Sequence, residues 1–444
     1  MKSRLLQIAV ALLTGVIFFT LFSIWLTQGQ AALLACIALL VILWTTEALP
    51  LGVVSLLPIV LFPALGILTT KATTVNYAHP IIFLFLGGFL LAIAVEKTGL
   101  HRWIAARVLR VFPATVQGVI FGLALTSGLL SSILSNTTTT LLMISIALFI
   151  SDSASIKQRL VLAVAYGASI GGIITPIGTP PNLILMGIMV DSGMPAIPFI
   201  NWVGMMLPVA VVMFLVVGFV LSKGLAEERI ETPLQVPRLD GNQRKVLSLL
   251  AGLMLLLFIN APIQPWYTGL GMSEPVILLS AGLILFLPFI DILDWDKDKA
   301  KIPIQIIFLF GAGFSIARGF AETGLAQLIA DQLHVLQAYP LIVVLLLIAL
   351  VVTFLTEITS NTALASVMLP VLYAVALQTG MDPQLLMLVA TICASYAFML
   401  PIATPPNAIA MSSGVVQVRQ MMRYGLLFNL CGIALVVLMA RFYW

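Results

Sequence analysis

The chain repeats itself at a fixed spacing. Ser135-Asn136-Thr137 recurs as Ser360-Asn361-Thr362, and Thr179-Pro180-Pro181-Asn182 recurs as Thr404-Pro405-Pro406-Asn407, each displaced by 225 residues. The same offset lays residues 81–100 over 306–325, where eleven of twenty positions agree. A constant offset across separate motifs marks an internal duplication, so the two halves must build the same structural unit. Whatever these polar, helix-breaking motifs do, they do it as a pair.

Hydropathy says what kind of unit that is. The residues are 61% hydrophobic and 9% charged, with a mean hydropathy of +1.15, whereas a soluble domain carries charge on about a quarter of its residues. Apolar stretches near 5–27, 31–49, 51–68, 80–96, 201–221, 246–262, 275–290, 303–320 and 424–440 approach or exceed the roughly 17–25 residues that span a bilayer as helix. They do not alternate with period two, which excludes barrel strands. The chain reads as an all-α membrane protein with the lipid bilayer as its partner.

Lys2 and Arg4 precede an apolar run that is too long for a signal-peptide core and lacks a small-residue cleavage site. It reads as a retained first helix, residues 1–28, with the N-terminus cytoplasmic. Tracing eleven crossings, plus two hairpins that enter and leave on one side, puts eighteen of the twenty-one Lys and Arg residues in the cytoplasm and leaves Lys71, Arg318 and Arg441 outside. Lys and Arg bias in short loops sets orientation, so the trace is supported and the C-terminus falls outside. Residues 29–222 and 246–444 then hold five crossings and one hairpin each. An odd number of crossings inserts the second copy upside down, which makes the repeats inverted. Residues 223–245, with Glu227, Glu228, Arg229 and Glu231, read as a cytoplasmic linker.

The net charge of +4 calls for no nucleic acid partner, since the basic residues lie where topology wants them. His101 to Arg110 reads as an amphipathic interfacial helix. Cys36, Cys393 and Cys431 and the three histidines show no disulfide framework or metal-ligand spacing. No Walker loop, dinucleotide-binding glycine motif or His-Glu-x-x-His helix is present, which argues against ATP-driven pumping and metalloprotease chemistry.

Around the first triad, Thr126 to Thr140 is rich in Ser and Thr and is flanked by apolar runs too short to span alone. This predicts a re-entrant hairpin with its tip at 135–137, and Thr353 to Ala365 predicts a second with its tip at 360–362. In hydrocarbon such turns survive only when buried in protein or lining a wet cavity. A helix starting at each tip offers free N–H groups and the triad's side chains to an anion. Each helix end adds about 0.3–1 kcal/mol for a nearby negative charge. Ser, Asn and Thr also merely cap helices, but two triads at one repeat position favour a binding site.

The helix before each tip ends there and presents carbonyls, and Ser131 and Ser135 add hydroxyls, a ligand set suited to a hard cation. Prolines in 175–182 and 400–407 predict unwound helices with freed carbonyls beside each tip. Neither motif contains Arg or Lys. A buried dianion without basic partners is costly, so cations bound first would complete the anion site. Matched polar breaks in duplicated membrane halves point to a transporter's substrate site.

These paired motifs resemble the divalent anion/sodium symporter family, which includes bacterial dicarboxylate transporters of the INDY type. The resemblance covers nearly the whole chain. It implies a homodimer, an elevator-type ion transporter fold, and sodium-coupled uptake of C4 dicarboxylates such as succinate, malate and fumarate across the cytoplasmic (inner) membrane. It further implies one sodium site at Ser131, Ser135, Asn136 and the Gly178 carbonyl, and a second at Thr356, Thr359, Asn361 and the Ala403 carbonyl. The substrate carboxylates would be held by Asn136, Thr137, Asn361 and Thr362, with Thr179 and Thr404 nearby. The half-sites differ where Gly178 matches Ala403 and Thr138 matches Ala363.

Glu357, whose repeat equivalent is Ser132, is an intramembrane carboxylate. Such a group is a candidate for a proton or third cation, though a hydrogen-bonding role is favoured here. Glu47 reads as a helix-terminal carboxylate, and Arg318 as reaching the outer interface. Gly118/Gly122 and Gly167/Gly171 fit close helix packing. Rival functions are a sodium-independent dicarboxylate exchanger, a citrate or sulfate carrier and, from another class, an anion channel. No cluster of nucleophile, base and orienting group supports an enzyme.

Overall fold

A computed structural model of the chain describes residues 2–225, 238–262 and 266–444. After α1 (Lys2–Phe22) come α2 (Gln28–Thr46), α3 (Leu51–Ala64), α4 (Thr70–Thr74), α5 (Pro80–Lys97), α6 (Leu100–Leu109), α7 (Val116–Ser131), α8 (Asn136–Phe149), α9 (Ala154–Gly171), α10 (Pro180–Asp191) and α11 (Phe199–Ser222). A second set follows in the same order: α12 (Gly241–Asn260), α13 (Glu274–Ile284), α14 (Trp295–Asp298), α15 (Ile304–Thr323), α16 (Leu325–Gln332), α17 (Leu341–Thr356), α18 (Asn361–Thr379), α19 (Pro383–Ser395), α20 (Pro405–Ser412) and α21 (Val418–Phe442). The starts of α6, α7, α8 and α10 are each followed 225 residues later by those of α16, α17, α18 and α20.

Eight helices among the described residues are long and apolar enough to cross a bilayer. That is fewer than the eleven crossings expected, because the remaining apolar helices are short. α3 and α13 run 14 and 11 residues and the half-helices α10 and α20 run 12 and 8, below the roughly 17 needed to span; the hairpin arms α7, α8 and α17 run 16, 14 and 16. α18 breaks the symmetry at 19 residues, continuing to a left-handed cap at Gly380. Most of the expected linker, 226–237, lies outside the described residues. Its end does not: Asp240 caps α12 through a capping box with Gln243, so residues 241–245 are already helical.

The two sets trade partners. α3 packs on α15 and α5 packs on α13, each helix against the opposite set. The same exchange is written into the helix caps. Gln30, inside the capping box of α2, donates from Nε2 to Thr323 O at the end of α15 (3.1 Å), and Gln243 does the same to Thr98 O at the end of α5 (3.0 Å). Each box therefore satisfies an orphan carbonyl on the other half as well as its own first turn. α5 and α14 are further joined by Lys97 and Asp298, whose charged groups lie 2.6 Å apart with the Asp298 side chain 6% exposed. Burial pushes the Asp298 carboxyl up, but the Asp294 N–H and the Lys97 ammonium outweigh it and hold the carboxyl below the usual range.

A second body forms around α9 and α19. α7 and α8 pack on α9, and α17 and α18 pack on α19. Gly167 and Gly171 allow this contact, since a methyl at either would meet the backbone of Ala124 or Gly128 on α7. Gly118 and Gly122 instead accommodate Pro113, Leu109 and Phe112 at the start of the hairpin. The last link is another exchange: α10 sits against α18 and α19, and α20 against α8 and α9. Each broken helix thus carries its second half into the opposite hairpin.

Candidate substrate and cation site

Both triads stand at the start of a helix because the arm before each one stops. Ser135 is the N-cap of α8, its Oγ accepting from Thr138 N (3.1 Å). Ser360 holds the same place before α18 but makes no cap bond. The first-turn N–H groups of a helix have no intrahelical partner. α8 therefore presents those of Asn136 and Thr137, and α18 those of Asn361, Thr362 and Ala363.

Each hairpin is pinned by one matched bond. Ser131 Oγ donates to Asn136 Oδ1 (2.5 Å), and its counterpart Thr356 Oγ1 donates to Asn361 Oδ1 (2.7 Å). The single Thr356 hydroxyl proton is shared with Ala394 O (2.8 Å). Ser131 and Thr356 are fully buried, so two oxygens from the arm and the tip are held against each other in both halves. Thr359 turns away from this cluster and back-bonds to Leu355 O (2.8 Å).

Beside each tip α9 and α19 unwind, as the prolines predict. The freed carbonyls do not stay free. Asn182 Nδ2 donates to Gly172 O (3.2 Å) and Thr175 O (3.0 Å), and Asn407 Nδ2 donates to Ala397 O (3.0 Å) and Leu400 O (3.0 Å). Both amides are fully buried, and each straps its break by satisfying two of the carbonyls that the unwinding frees. Gly172 lies directly against the Asn136 amide, which ties tip and break into one unit.

The two breaks are anchored differently. In the first, Trp202 Nε1 donates to Ile173 O (2.9 Å) and Thr175 Oγ1 donates to Ser132 O. In the second, Glu357 accepts from Met399 N (2.9 Å), Leu400 N (2.9 Å) and Asn429 Nδ2 (2.7 Å). Glu357 is 3% exposed. It clamps the break to α21 rather than facing open space.

The two tips and the two breaks border one cavity of about 700 Å³. Its wall includes Ser135, Asn136, Thr137, Gly178, Thr179, Thr359, Ser360, Asn361, Thr362, Ala403 and Thr404. Four helix N-termini open onto it, since Ser135, Thr179, Ser360 and Thr404 are the N-caps of α8, α10, α18 and α20. The prolines at the start of α10 and α20 remove donors there while leaving the dipole, so α8 and α18 supply the hydrogen bonds. Among the described residues lining the cavity, Arg4 is the one cation and Glu47 the one anion.

Comparison with known proteins fits this geometry. The profile of the citrate transporter family, CitMHS, matches residues 41–392. The sodium-dependent dicarboxylate transporter SdcS of Staphylococcus saprophyticus is 33% identical over 438 residues, covering 90% of this chain and 83% of its own. SdcS of Staphylococcus aureus is 32% identical over 432 residues with the same coverage. The chain belongs to the citrate transporter family. It is a secondary transporter and not an enzyme. Two solved structures share its all-helical fold. Neisseria gonorrhoeae MtrF has a TM-score of 0.62 at 16% identity, covering 93% of this chain and 95% of that one. The Alcanivorax borkumensis YdaH transporter has a TM-score of 0.59 at 17% identity, covering 84% and 87%.

In this transporter, residue reasoning put the two triads, Thr179, Thr404, Gly178 and Ala403 at the site, and the structure places all of them on the cavity wall or in the elements that form it. Ser131 and Thr356 lie one layer behind, touching the cavity through the tip asparagines. Asn182 and Asn407 were overlooked as straps, although their identical place in both Thr-Pro-Pro-Asn motifs was the available signal. Glu47 ends α2 as expected, yet it also faces the cavity. Arg318 sits in a separate cavity of about 560 Å³ with Asp191 and Gln327, its Nε 3.6 Å from Glu322.

Proposed function

We propose that the transporter couples inward sodium flow to entry of a C4 dicarboxylate through the cavity between the two tips. The observation that carries this reading is the duplicated oxygen pair, Ser131 with Asn136 and Thr356 with Asn361, each beside an unwound segment and a helix N-terminus. A hydroxyl proton joins the two oxygens of each pair. A sodium ion replacing that hydrogen bond would take both oxygens, with the Gly178 or Ala403 carbonyl completing it. The first-turn N–H groups and the hydroxyls of Thr137 and Thr362 would then face the substrate carboxylates, with Thr179 and Thr404 beside them.

Magnitudes support coupling. Four helix ends at about 0.3–1 kcal/mol each supply less than the several kcal/mol per ion that burial costs. Two sodium ions neutralise a dianion and make up the difference. Sodium therefore binds first and the substrate leaves first.

The reading includes two inverted repeats, eleven crossings and two re-entrant hairpins, with the N-terminus in the cytoplasm and the C-terminus outside. With the N-terminus in the cytoplasm, a cavity lined by Arg4 opens to that side and the conformer faces inward in this reading. α7–α11 and α17–α21 form the part that moves against α2–α6 and α12–α16 as an elevator, within a homodimer in the cytoplasmic membrane. The family description favours citrate as a second substrate reading. Uptake of labelled succinate and citrate into proteoliposomes, under an inward sodium gradient and under an equal potassium gradient, tests both. Accumulation above the external level only with sodium supports symport. Flux that appears only when the vesicles are preloaded with substrate would replace symport by exchange, and unsaturable flux would indicate a channel.

A further inference from the structure

Glu47 has the backbone of a residue that does not belong where it is. It ends α2 in the left-handed conformation, with φ 50° and ψ 30°. Helices in this chain that close on such a turn use glycine, as Gly324 and Gly380 do at φ 69° and 66°. A side chain with a Cβ is disfavoured there, and Asn is the tolerated exception. A cap alone does not call for glutamate. Strain of this kind at a cavity wall motivates a functional hypothesis.

The side chain is exposed and lines the cavity that holds both tips. Among the described residues, no ion pair forms with it. Among the described residues it is the one acidic side chain on that wall, where Arg4 of α1 is the one cation. Glu47 belongs to α2, which packs chiefly on α1, α3 and α15 and touches the hairpin arm α18 only slightly. When the tips face this wall a dianion between them meets a like charge that no ion pair neutralises, and when they move away it does not.

Building on the sodium-coupled dicarboxylate reading, we propose that Glu47 is a fixed repulsive charge that drives the dianion out of the inward-facing cavity ahead of the sodium ions. The same charge attracts cations and so retains sodium while the substrate leaves. Release then runs in the reverse of the binding order, and the empty, sodium-loaded site does not recapture its cargo from the cytoplasm.

The test is equilibrium binding of labelled succinate to the purified full-length protein at saturating sodium, at low and at high ionic strength, for wild type, Glu47→Gln, Glu47→Asn and Glu47→Asp. A dianion and a single charge separated by about 10 Å of water-like medium interact enough to change affinity about 3–5-fold. Gln and Asn should both tighten succinate binding by that factor at low ionic strength, and the gain should shrink in high salt. Both should also raise the sodium concentration needed for half-saturation, while Asp should resemble wild type. Asn suits the left-handed cap, so it separates charge from backbone. An Asn variant that binds like wild type beside a weakened Gln variant would make Glu47 a cap and overturn the proposal. An unchanged Gln variant beside a normal wild-type isotherm overturns it alone. A wild type that binds no succinate in sodium overturns the functional reading, and the Glu47 assignment falls with it.

Discussion

Replacing Glu357 by glutamine is the sharpest probe of how the second half-site is held. The carboxylate receives three N–H groups: Met399 N and Asn429 Nδ2 on Oε1, and Leu400 N on Oε2. Glutamine keeps one acceptor oxygen and turns the other position into a donor. If its oxygen takes the Oε1 place, Leu400 N faces an NH2 group. If it takes the Oε2 place, Met399 N does, even when the Asn429 amide flips to follow. One buried, charge-assisted bond is lost in either case, worth about 1.5–3 kcal/mol. The segment that loses it is the one whose Ala403 carbonyl faces the cavity. Sodium affinity should therefore fall about tenfold to a hundredfold, at 1.4 kcal/mol per decade, with protein still recovered from the membrane. The assay is a sodium titration of succinate uptake at several pH values, with Asn429→Ala measured alongside. Asn429→Ala removes one of the three donors and should move sodium affinity in the same direction by less. Unchanged sodium affinity in Glu357→Gln, together with loss of any pH dependence of transport, would refute the clamp and make Glu357 a proton carrier.

Other parts of the account carry their own expectations. Asn182→Ala and Asn407→Ala each strip two buried carbonyls of their partner at about 1–3 kcal/mol apiece, so thermal unfolding in detergent should come clearly earlier; equal melting to wild type would mean the breaks do not need their straps. Thr137→Val and Thr362→Val should weaken succinate binding about tenfold to a hundredfold, one hydrogen bond to a charged group at about 1.5–3 kcal/mol, with sodium affinity moving less; separate titrations of the two ligands decide it. The Asp298 carboxyl titrates lower in the folded protein than the roughly 3.9 of an unfolded chain, so its contribution is present above that value and is lost as pH falls through the folded value. Melting temperature should drop below about pH 4 in wild type, and Asp298→Asn should lower stability at neutral pH and flatten that drop; an Asn variant with the wild-type profile would remove the Lys97 pair from the account.

What could be read from the residues was whatever came in duplicate. The tips at Ser135 and Ser360 and the breaks at Thr179 and Thr404 were legible because a polar, proline-bearing run inside apolar sequence has few structural uses and each occurs twice. Arrangements that join the two copies left little trace. Nothing local to Gln30 or Gln243 shows that each reaches the end of a helix nearly three hundred or some hundred and forty-five residues away. The exchange of α10 and α20 between the hairpins is equally silent, since it depends on packing rather than on pattern. Glu47 ends its helix as the residues suggest, but its positive φ and its place on the cavity wall have no signal in the sequence, where a helix-terminal glutamate is ordinary. Eleven crossings are expected where eight helices among the described residues are long enough to span, because α3 and α13 are short and α10 and α20 are half-helices that carry the hydropathy of a span without its length.

The central claim is that one site is built twice and that both halves must hold their cation before the anion binds. Equilibrium binding of labelled succinate as a function of sodium, for wild type, Asn136→Ala and Asn361→Ala, tests it directly. The account predicts no binding without sodium, cooperative onset as sodium rises, and loss of binding when either asparagine is removed. Sodium-independent binding by wild type, or an Asn361→Ala protein that binds like wild type, would contradict it.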